Sequence, residues 1–221
     1  MSGDKKKFTY YPGCSSQGTG KHLDESIRAV APVLDMEIVD IDDWNCCGAS
    51  VGHIGGGQLP NLTLTGRNLA KAVEQGTQDV ITGCAACYLN THAGNEKIKA
   101  DVKKRAAVNE ALSEAGLQYD DNLRVRHVAE VFVNDVGVDK IAEKVTNPLT
   151  GLKVAGWVGC QTVRPFAATA TGGKYDTHDR PDFLDDFTRA CGAEAVDYET
   201  PTNCCGRSAA RRSPCRPPPP A

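Results

Sequence analysis

Six of the ten cysteines in this 221-residue chain fall into three close pairs, a spacing that suits metal or redox chemistry. The first half reads Cys14, a gap of 31 residues, Cys46-Cys47-Gly48, then Cys84-Ala85-Ala86-Cys87 after a gap of 36 residues from Cys47. Thiolates are soft ligands for iron or zinc, and a C-x-x-C turn aims two sulfurs at one centre. Adjacent cysteines such as Cys46 and Cys47 have diverging side chains. They do not easily grip a single ion in relaxed geometry, but they can serve two metals of a multinuclear cluster. Five thiolates also exceed the four that a zinc site uses. The pattern therefore favours a cluster over mononuclear zinc. Cys160 and Cys204-Cys205-Gly206 repeat part of it in the second half, while Cys191 shares an apolar helix face with Phe183 and Phe187 and reads as a buried structural thiol.

Composition narrows the setting. A net charge of -3 and a pI near 6.0 give no electrostatic case for nucleic acid. No stretch approaches the roughly 18 apolar residues of a transmembrane segment. The basic start, Met1 to Lys7, has no apolar run behind it, so it does not read as an export signal. A disulfide-built secreted scaffold is then the lesser reading of the cysteines, and a reducing, cytoplasmic location is expected.

Other residues carry weaker signals. His53 follows the first Cys-Cys-Gly and could donate a proton in a substrate pocket, although a lone loop histidine is more often a surface residue. His22, His92, His127 and His178 are scattered, without the i, i+4 spacing of a metal pair. Gly52, Gly55, Gly56 and Gly57 fit neither dinucleotide nor P-loop spacing, and read as a loop that lets backbone approach a bound group. Trp44 and Trp157 flank the cysteine segments and are expected to pack against and shield them. Lys97, Lys99, Lys103, Lys104 and Arg105 read as a solvated helix face.

The elements that must position the thiols alternate between strand and helix. Phe8–Tyr11 reads as a strand running into Pro12-Gly13-Cys14, and Leu23, Ile27, Val30 and Leu34 recur at helical spacing. Glu37–Ile41 is a second strand, ending before Cys46. Leu62, Leu69 and Val73 mark a helix closed by Gly76. Asp79–Thr82 is a third strand, which delivers Cys84. Polar helices are expected near Glu96–Ala115 and His127–Val136.

Asn147-Pro148 and Gly151 punctuate the chain as a boundary. Beyond it Lys153–Val158 reads as a strand leading to Gly159-Cys160, Phe183 to Cys191 as a helix, and Glu194–Tyr198 as a strand before Cys204-Cys205-Gly206. The expected fold class is α/β: two tandem, pseudo-repeated Rossmann-like units with cysteines on loops at strand ends, the second unit incomplete. The units span 1–148 and 149–206. Residues 207–221 form an Arg/Pro tail without Leu, Ile, Val, Met or any aromatic, a composition that reads as disordered. Cys215 has no strand before it and does not replace a C-x-x-C, so the chain reads as truncated or frame-shifted after the second Cys-Cys-Gly.

The run C-x31-C-C-G followed by C-x-x-C, with its partial repeat, resembles the cysteine-rich CCG domain found in the B-type subunit of heterodisulfide reductase and its relatives. The resemblance covers the chain up to about Arg207. It implies that Cys14, Cys46, Cys47, Cys84 and Cys87 hold a noncubane [4Fe-4S] cluster, and that Cys160, Cys204 and Cys205 are three of the five ligands of a second. It further implies an oxidoreductase acting on sulfur groups, working only within a complex. Its partners would be a ferredoxin-like iron–sulfur subunit of the C type and a flavin-containing subunit of the A type, and its substrate a disulfide or thiol. Related CCG proteins serve sulfur metabolism, succinate:quinone reductase-like complexes and lactate or glycolate oxidation. The alternative is a non-catalytic interaction module stabilised by iron–sulfur or zinc.

Overall fold

The structure, a computed structural model, describes residues 5–49, 57–162 and 181–206. His53, Gly52, Gly55, Gly56, His178, Cys215 and the whole 207–221 tail lie outside the described residues.

Four parallel strands form the main sheet: β1 (Lys6–Tyr10), β2 (Met36–Asp40), β3 (Asp79–Thr82) and β4 (Arg124–His127). Their order is β2-β1-β3-β4, with Phe8 opposite Ile38, Tyr10 opposite Ile81, and Val80 opposite Val125. The crossovers run through α1 (Lys21–Val30), α2 (Gln58–Glu74), and the pair α3 (Ala85–Ala100) and α4 (Val102–Ser113). Parallel strands covered on both faces read as short apolar runs, and Val80-Ile81 shows why. Val80 packs with Leu62, Leu69, Ile98 and Val108 from α2 to α4, whereas its neighbour Ile81 packs with Phe8, Ile27, Leu34 and Val131 on the other face.

Two helical expectations change. The polar stretch near Glu96–Ala115 is two helices, because Asp101 leaves helical conformation and caps α4, accepting from the Lys103 and Lys104 amides at 3.0 and 3.1 Å. The helix expected from His127 begins only after β4. It runs as α5 (Val128–Val131) and continues as a π turn over Phe132–Val136. β4 escapes the sequence pattern because one of its two buried side chains is Arg126, which is 6% exposed, beside Val125 in the core. Glu130 at 2.7 Å and Asp135 at 2.8 and 3.0 Å compensate its charge, and Lys6 also reaches Asp135.

After α6 (Val138–Lys144), β5 (Lys153–Val154) and β6 (Glu194–Ala195) form a separate two-stranded parallel sheet, with α7 (Phe183–Ala190) between them. Both strands are shorter than the sequence suggests. Beyond Val154 the backbone leaves the ladder, and Val158 and Gly159 donate to the Pro201 carbonyl at 2.9 and 3.1 Å. Phe187 of α7 meets Phe132 edge-on at 6.1 Å between centroids, so the two parts share an aromatic seam. Cys191 caps α7 and is half-buried rather than buried.

Candidate metal centre

β2 and β3 flank β1, so the chain switches direction across the sheet between β1 and β3. In open α/β sheets a crevice opens outside the strand carboxyl ends at such a point. Three cysteine segments leave the sheet at those ends. Gly13 turns the chain after β1 at φ 71° and Cys14 opens a 3-10 turn, Cys14–Gln17. Cys46 and Cys47 follow β2. Cys84 follows β3 and occupies the N-cap position of α3, with Cys87 in its first turn.

The five thiols come within electrostatic reach of one another: Cys14 feels Cys46, Cys47 and Cys84, and Cys47, Cys84 and Cys87 act on each other. Cys47 and Cys87 are buried, Cys46 and Cys84 are half-buried, and Cys14 is exposed. The electrostatics follow from who donates. The Cys87 thiol, aided by the Ser15 hydroxyl and the Ala86 and Cys87 amides, outweighs burial and pulls Cys84 down to about 5. Cys87 likewise leads in drawing Cys47 down to about 7, with the Ala49 amide helping. Cys87 itself is pushed far up, by its bonds to Cys47 and Cys84 and by burial. Burial, then the neighbouring thiols, raises Cys14.

This donor set suits a multinuclear thiolate-bound centre. Among the described residues no three His, Cys, Asp or Glu side chains are already grouped as ligands of a single ion. None of the nine described cysteines is in a disulfide. The backbone makes room for the sulfurs: a Cβ on Gly13 would stand 2.5 Å from the Cys87 Sγ.

A shell of neutral amides holds the Cys46-Cys47 turn. Asn45 and Asn68 clasp reciprocally, with the Asn45 amide donating to Asn68 Oδ1 at 2.8 Å and Asn68 Nδ2 to the Asn45 carbonyl at 2.9 Å. The Tyr11 hydroxyl donates to that same carbonyl at 2.8 Å. Asn90, three residues past Cys87, donates to the Cys47 carbonyl and pairs with Asn61. Asn61 also stands where a Cβ on Gly48, at φ 84°, would have to go, 2.4 Å away. None of these asparagines stands out in the sequence. The one available signal is Asn61 and Asn68 seven residues apart on one face of α2.

The tryptophans divide. Trp44 is half-buried and meets Tyr11 edge-on at 5.7 Å, within the core that contains Cys47 and Cys87. Trp157 is 53% exposed and donates to the Asn203 carbonyl at 3.1 Å, so it braces a loop rather than shielding one. Two histidines that look scattered in sequence converge on Tyr88. His92 stacks on it at 5.3 Å and His127 meets it edge-on at 5.6 Å. His22 lies exposed beside Glu25. The basic group expected on one solvated helix face is divided between α3 and α4, where Lys99 donates to the Leu123 carbonyl, Lys104 pairs with Asp101 and Arg105 with Asp121, all three half-buried.

In the second part, Cys160 hydrogen-bonds Cys204 and lies in the field of Cys205. Burial first, then these neighbours, raises it. Cys204 accepts from the Gly206 amide at 3.4 Å. The two cysteine groups are linked through Val158, which packs against the core of each part.

Comparison with known proteins places the chain in a family. The family profile described as the cysteine-rich domain, CCG, matches residues 8–91. Over 202 residues the chain is 31% identical to the 8-methylmenaquinol:fumarate reductase membrane anchor subunit of Wolinella succinogenes, covering 91% of this chain and 68% of that protein. It is 30% identical over 211 residues to a protein of Archaeoglobus profundus described as like the B-type subunit of heterodisulfide reductase, covering 93% and 68%. A solved structure of a hypothetical protein from Helicobacter pylori shares the fold at a TM-score of 0.61 and 17% identity, over 87% of this chain and 33% of that one. The fold is α/β, and the chain belongs to the family of cysteine-rich CCG-domain proteins typified by the B-type subunit of heterodisulfide reductase.

Proposed function

We propose that this chain is the iron–sulfur subunit of a heterodisulfide reductase-like electron-transfer complex. In this reading Cys14, Cys46, Cys47, Cys84 and Cys87 hold a noncubane [4Fe-4S] cluster. One observation carries the reading: the segments bearing the five cysteines leave the carboxyl ends of β1, β2 and β3 at the switch point of the sheet, with Cys47, Cys84 and Cys87 packed in one core. When bound, the cluster supplies one-electron chemistry and iron sites for sulfur. The chain's own residues position it. The α3 N-terminus and Ser15 stabilise negative charge on Cys84, the asparagine shell fixes Cys46 and Cys47, and Tyr11 and Trp44 keep the buried side dry. Cys14, exposed at the rim, marks the side from which a disulfide or thiol substrate and a partner would approach.

Division into a unit at 1–148 and a partial one at 149–206 suits the two separate sheets. Cys160, Cys204 and Cys205 would hold part of a second centre. A ferredoxin-like subunit would deliver electrons that enter the complex through a flavin subunit, and the assembly would work in the cytoplasm. No helix among the described residues is long and apolar enough to cross a membrane.

The second group offers only three thiols among the described residues, which favours one alternative: an interaction module that its metal merely stabilises. Anaerobically purified protein decides between them. About four iron and four acid-labile sulfide per chain, with an EPR signal on oxidation or reduction, is the expected result for one such cluster. One zinc without sulfide would overturn the proposal.

A further inference from the structure

Residues 41–47 have no regular structure, yet they must aim two adjacent cysteines at one centre. One guanidinium, Arg67 of α2, grips this loop at three acceptors. Its Nη1 donates to the Asp43 carbonyl at 2.6 Å and to Asn45 Oδ1 at 3.1 Å, while Nη2 donates to the Asp43 carboxylate. Asp43 holds φ at 50°, a left-handed conformation that L side chains rarely adopt. Bonds to its carbonyl and its carboxylate together hold it there.

The bond to Asn45 settles something more specific. A side-chain amide has an oxygen at one end and a donor at the other, whereas a guanidinium only donates. Arg67 therefore keeps Asn45 Oδ1 turned towards itself. That leaves Nδ2 to donate, and it reaches the Cys46 carbonyl at 2.7 Å and the Leu64 carbonyl at 3.3 Å. Turned the other way, the amide would set oxygen against oxygen. The Cys46 carbonyl belongs to the planar peptide that joins Cys46 to Cys47, so fixing that oxygen fixes the plane from which both side chains leave. We propose that Arg67 is a positioning residue for the metal centre, acting through Asn45 on this peptide, an inference that rests on the ligand assignment proposed above. Adjacent cysteines diverge, and one tilt of their shared peptide must serve both sulfurs at once. Groups behind the ligands commonly set such orientations. The fork matters here, and not the charge alone. An ammonium is a point donor that can take the Asp43 carboxylate but cannot span from it to the Asn45 oxygen.

The test reconstitutes wild type, Arg67→Met, Arg67→Lys, Asn45→Ala and Arg124→Met anaerobically with iron and sulfide, reading iron content and EPR line shape. Arg124 pairs with Asp79 through two bonds of 2.8 Å at the amino ends of β3 and β4, away from the cysteines, and controls for loss of an arginine ion pair. Arg67→Met and Arg67→Lys are expected to hold several-fold less iron than wild type. The portion that loads should show a shifted line shape, shared with Asn45→Ala, while Arg124→Met loads fully with the wild-type spectrum. Wild-type loading and line shape in Arg67→Met overturn the inference. So does full recovery in Arg67→Lys, which would make charge the cause, or an equal iron loss in Arg124→Met, which would make general instability the cause. If Arg67→Met does not fold, Asn45→Ala decides, and an unshifted line shape there counts against the proposal. A wild-type chain that takes up no iron removes the ligand reading itself and this inference with it, whereas a loaded wild type with indifferent variants removes only the inference.

Discussion

Gly13 and Cys87 lie so close that a single methyl-sized atom on Gly13 would sit 2.5 Å from the Cys87 sulfur. The two residues come from different strand ends and occupy one space. Gly13 also holds φ at 71°, where L side chains are strained. Gly13→Ala is therefore expected to cost about 1–3 kcal/mol in backbone strain, since ψ 166° places it in a region only glycine adopts readily, and more in displacing Cys87. Iron and sulfide content should fall several-fold while far-UV circular dichroism keeps its helical shape. A variant that loads normally would show that the contact relaxes at no consequence.

Asn90 reaches the Cys47 carbonyl and Asn61 together, so its amide both donates and accepts. Asn90→Ala leaves those groups unpaired and is expected to cost about 1–3 kcal/mol in urea unfolding. Asn90→Asp should be worse. It turns a donor into an anion that faces a carbonyl near the thiols. Loading measured beside stability should follow the order wild type, Ala, Asp.

Arg126 is the buried charge on which two carboxylates depend. Burial works against the Asp135 charge, but Arg126 and Lys6 overcome it and hold the group near 2. Glu130 is raised, burial outweighing its bond to Arg126. Asp135 thus adds stability that is complete above its unfolded value, near 4, and is lost as pH falls through about 2. Arg126→Met strands Glu130 and leaves Asp135 with Lys6 alone at neutral pH, with an expected loss of about 3–5 kcal/mol. The loss should shrink as pH is lowered from 7 towards 4, because the stranded acids then protonate. Denaturation curves at several pH values check this, and a pH-independent difference would contradict it.

His127 is kept neutral. Its Nδ1 accepts from the Ala129 amide at 3.2 Å and caps α5, while the ring also bonds the Gly83 backbone. The ring keeps some accessible surface, yet protein atoms enclose it, and that burial pulls it to about 4. With the folded value below the unfolded one, the stabilisation is complete above about 6.5 and fades as pH falls towards 4. Wild-type stability should decline across that window by an amount on the order of 2 kcal/mol. His127→Asn keeps a capping side chain without that titration, so the decline should flatten in its melting curves.

Cys47→Ser removes a buried sulfur from the group of five, and iron content is expected to collapse. Cys191→Ser, at the half-buried end of α7 and apart from both cysteine groups, should leave iron content and the EPR signal unchanged.

Local pattern made much of this legible. Asp79–Thr82 is a strand with the bounds its sequence suggests, and Gly76 takes the positive φ of a helix-ending glycine. The cysteines announced themselves because spacing, turn chemistry and ligand type agree. What stayed hidden depends on partners far along the chain. β4 reads Arg-Val-Arg-His, which looks like a surface, and only Glu130 and Asp135 folding back over it make Arg126 an interior residue. The asparagine shell was equally silent, since an asparagine that holds a carbonyl looks in sequence like any polar helix residue. β5 and β6 are shorter than their apolar runs suggest: after Val154 the backbone turns, so that Val158 and Gly159 bond the Pro201 carbonyl, and past Ala195 only the Val196 amide still reaches β5, at the Val154 carbonyl.

Three strand ends contribute cysteines to one group, with 31 residues between the first pair of segments and 36 between the next. Any metal centre gripped by all of them acts as a removable cross-link. Filling it draws together loops that an unfolded chain would hold far apart, and ligands that bind only the folded form stabilise it by mass action. The chain's lifetime should then track the supply of iron. A cell short of the metal would lose the protein through unfolding and proteolysis, and an idle electron carrier would not persist to compete for a place in its complex.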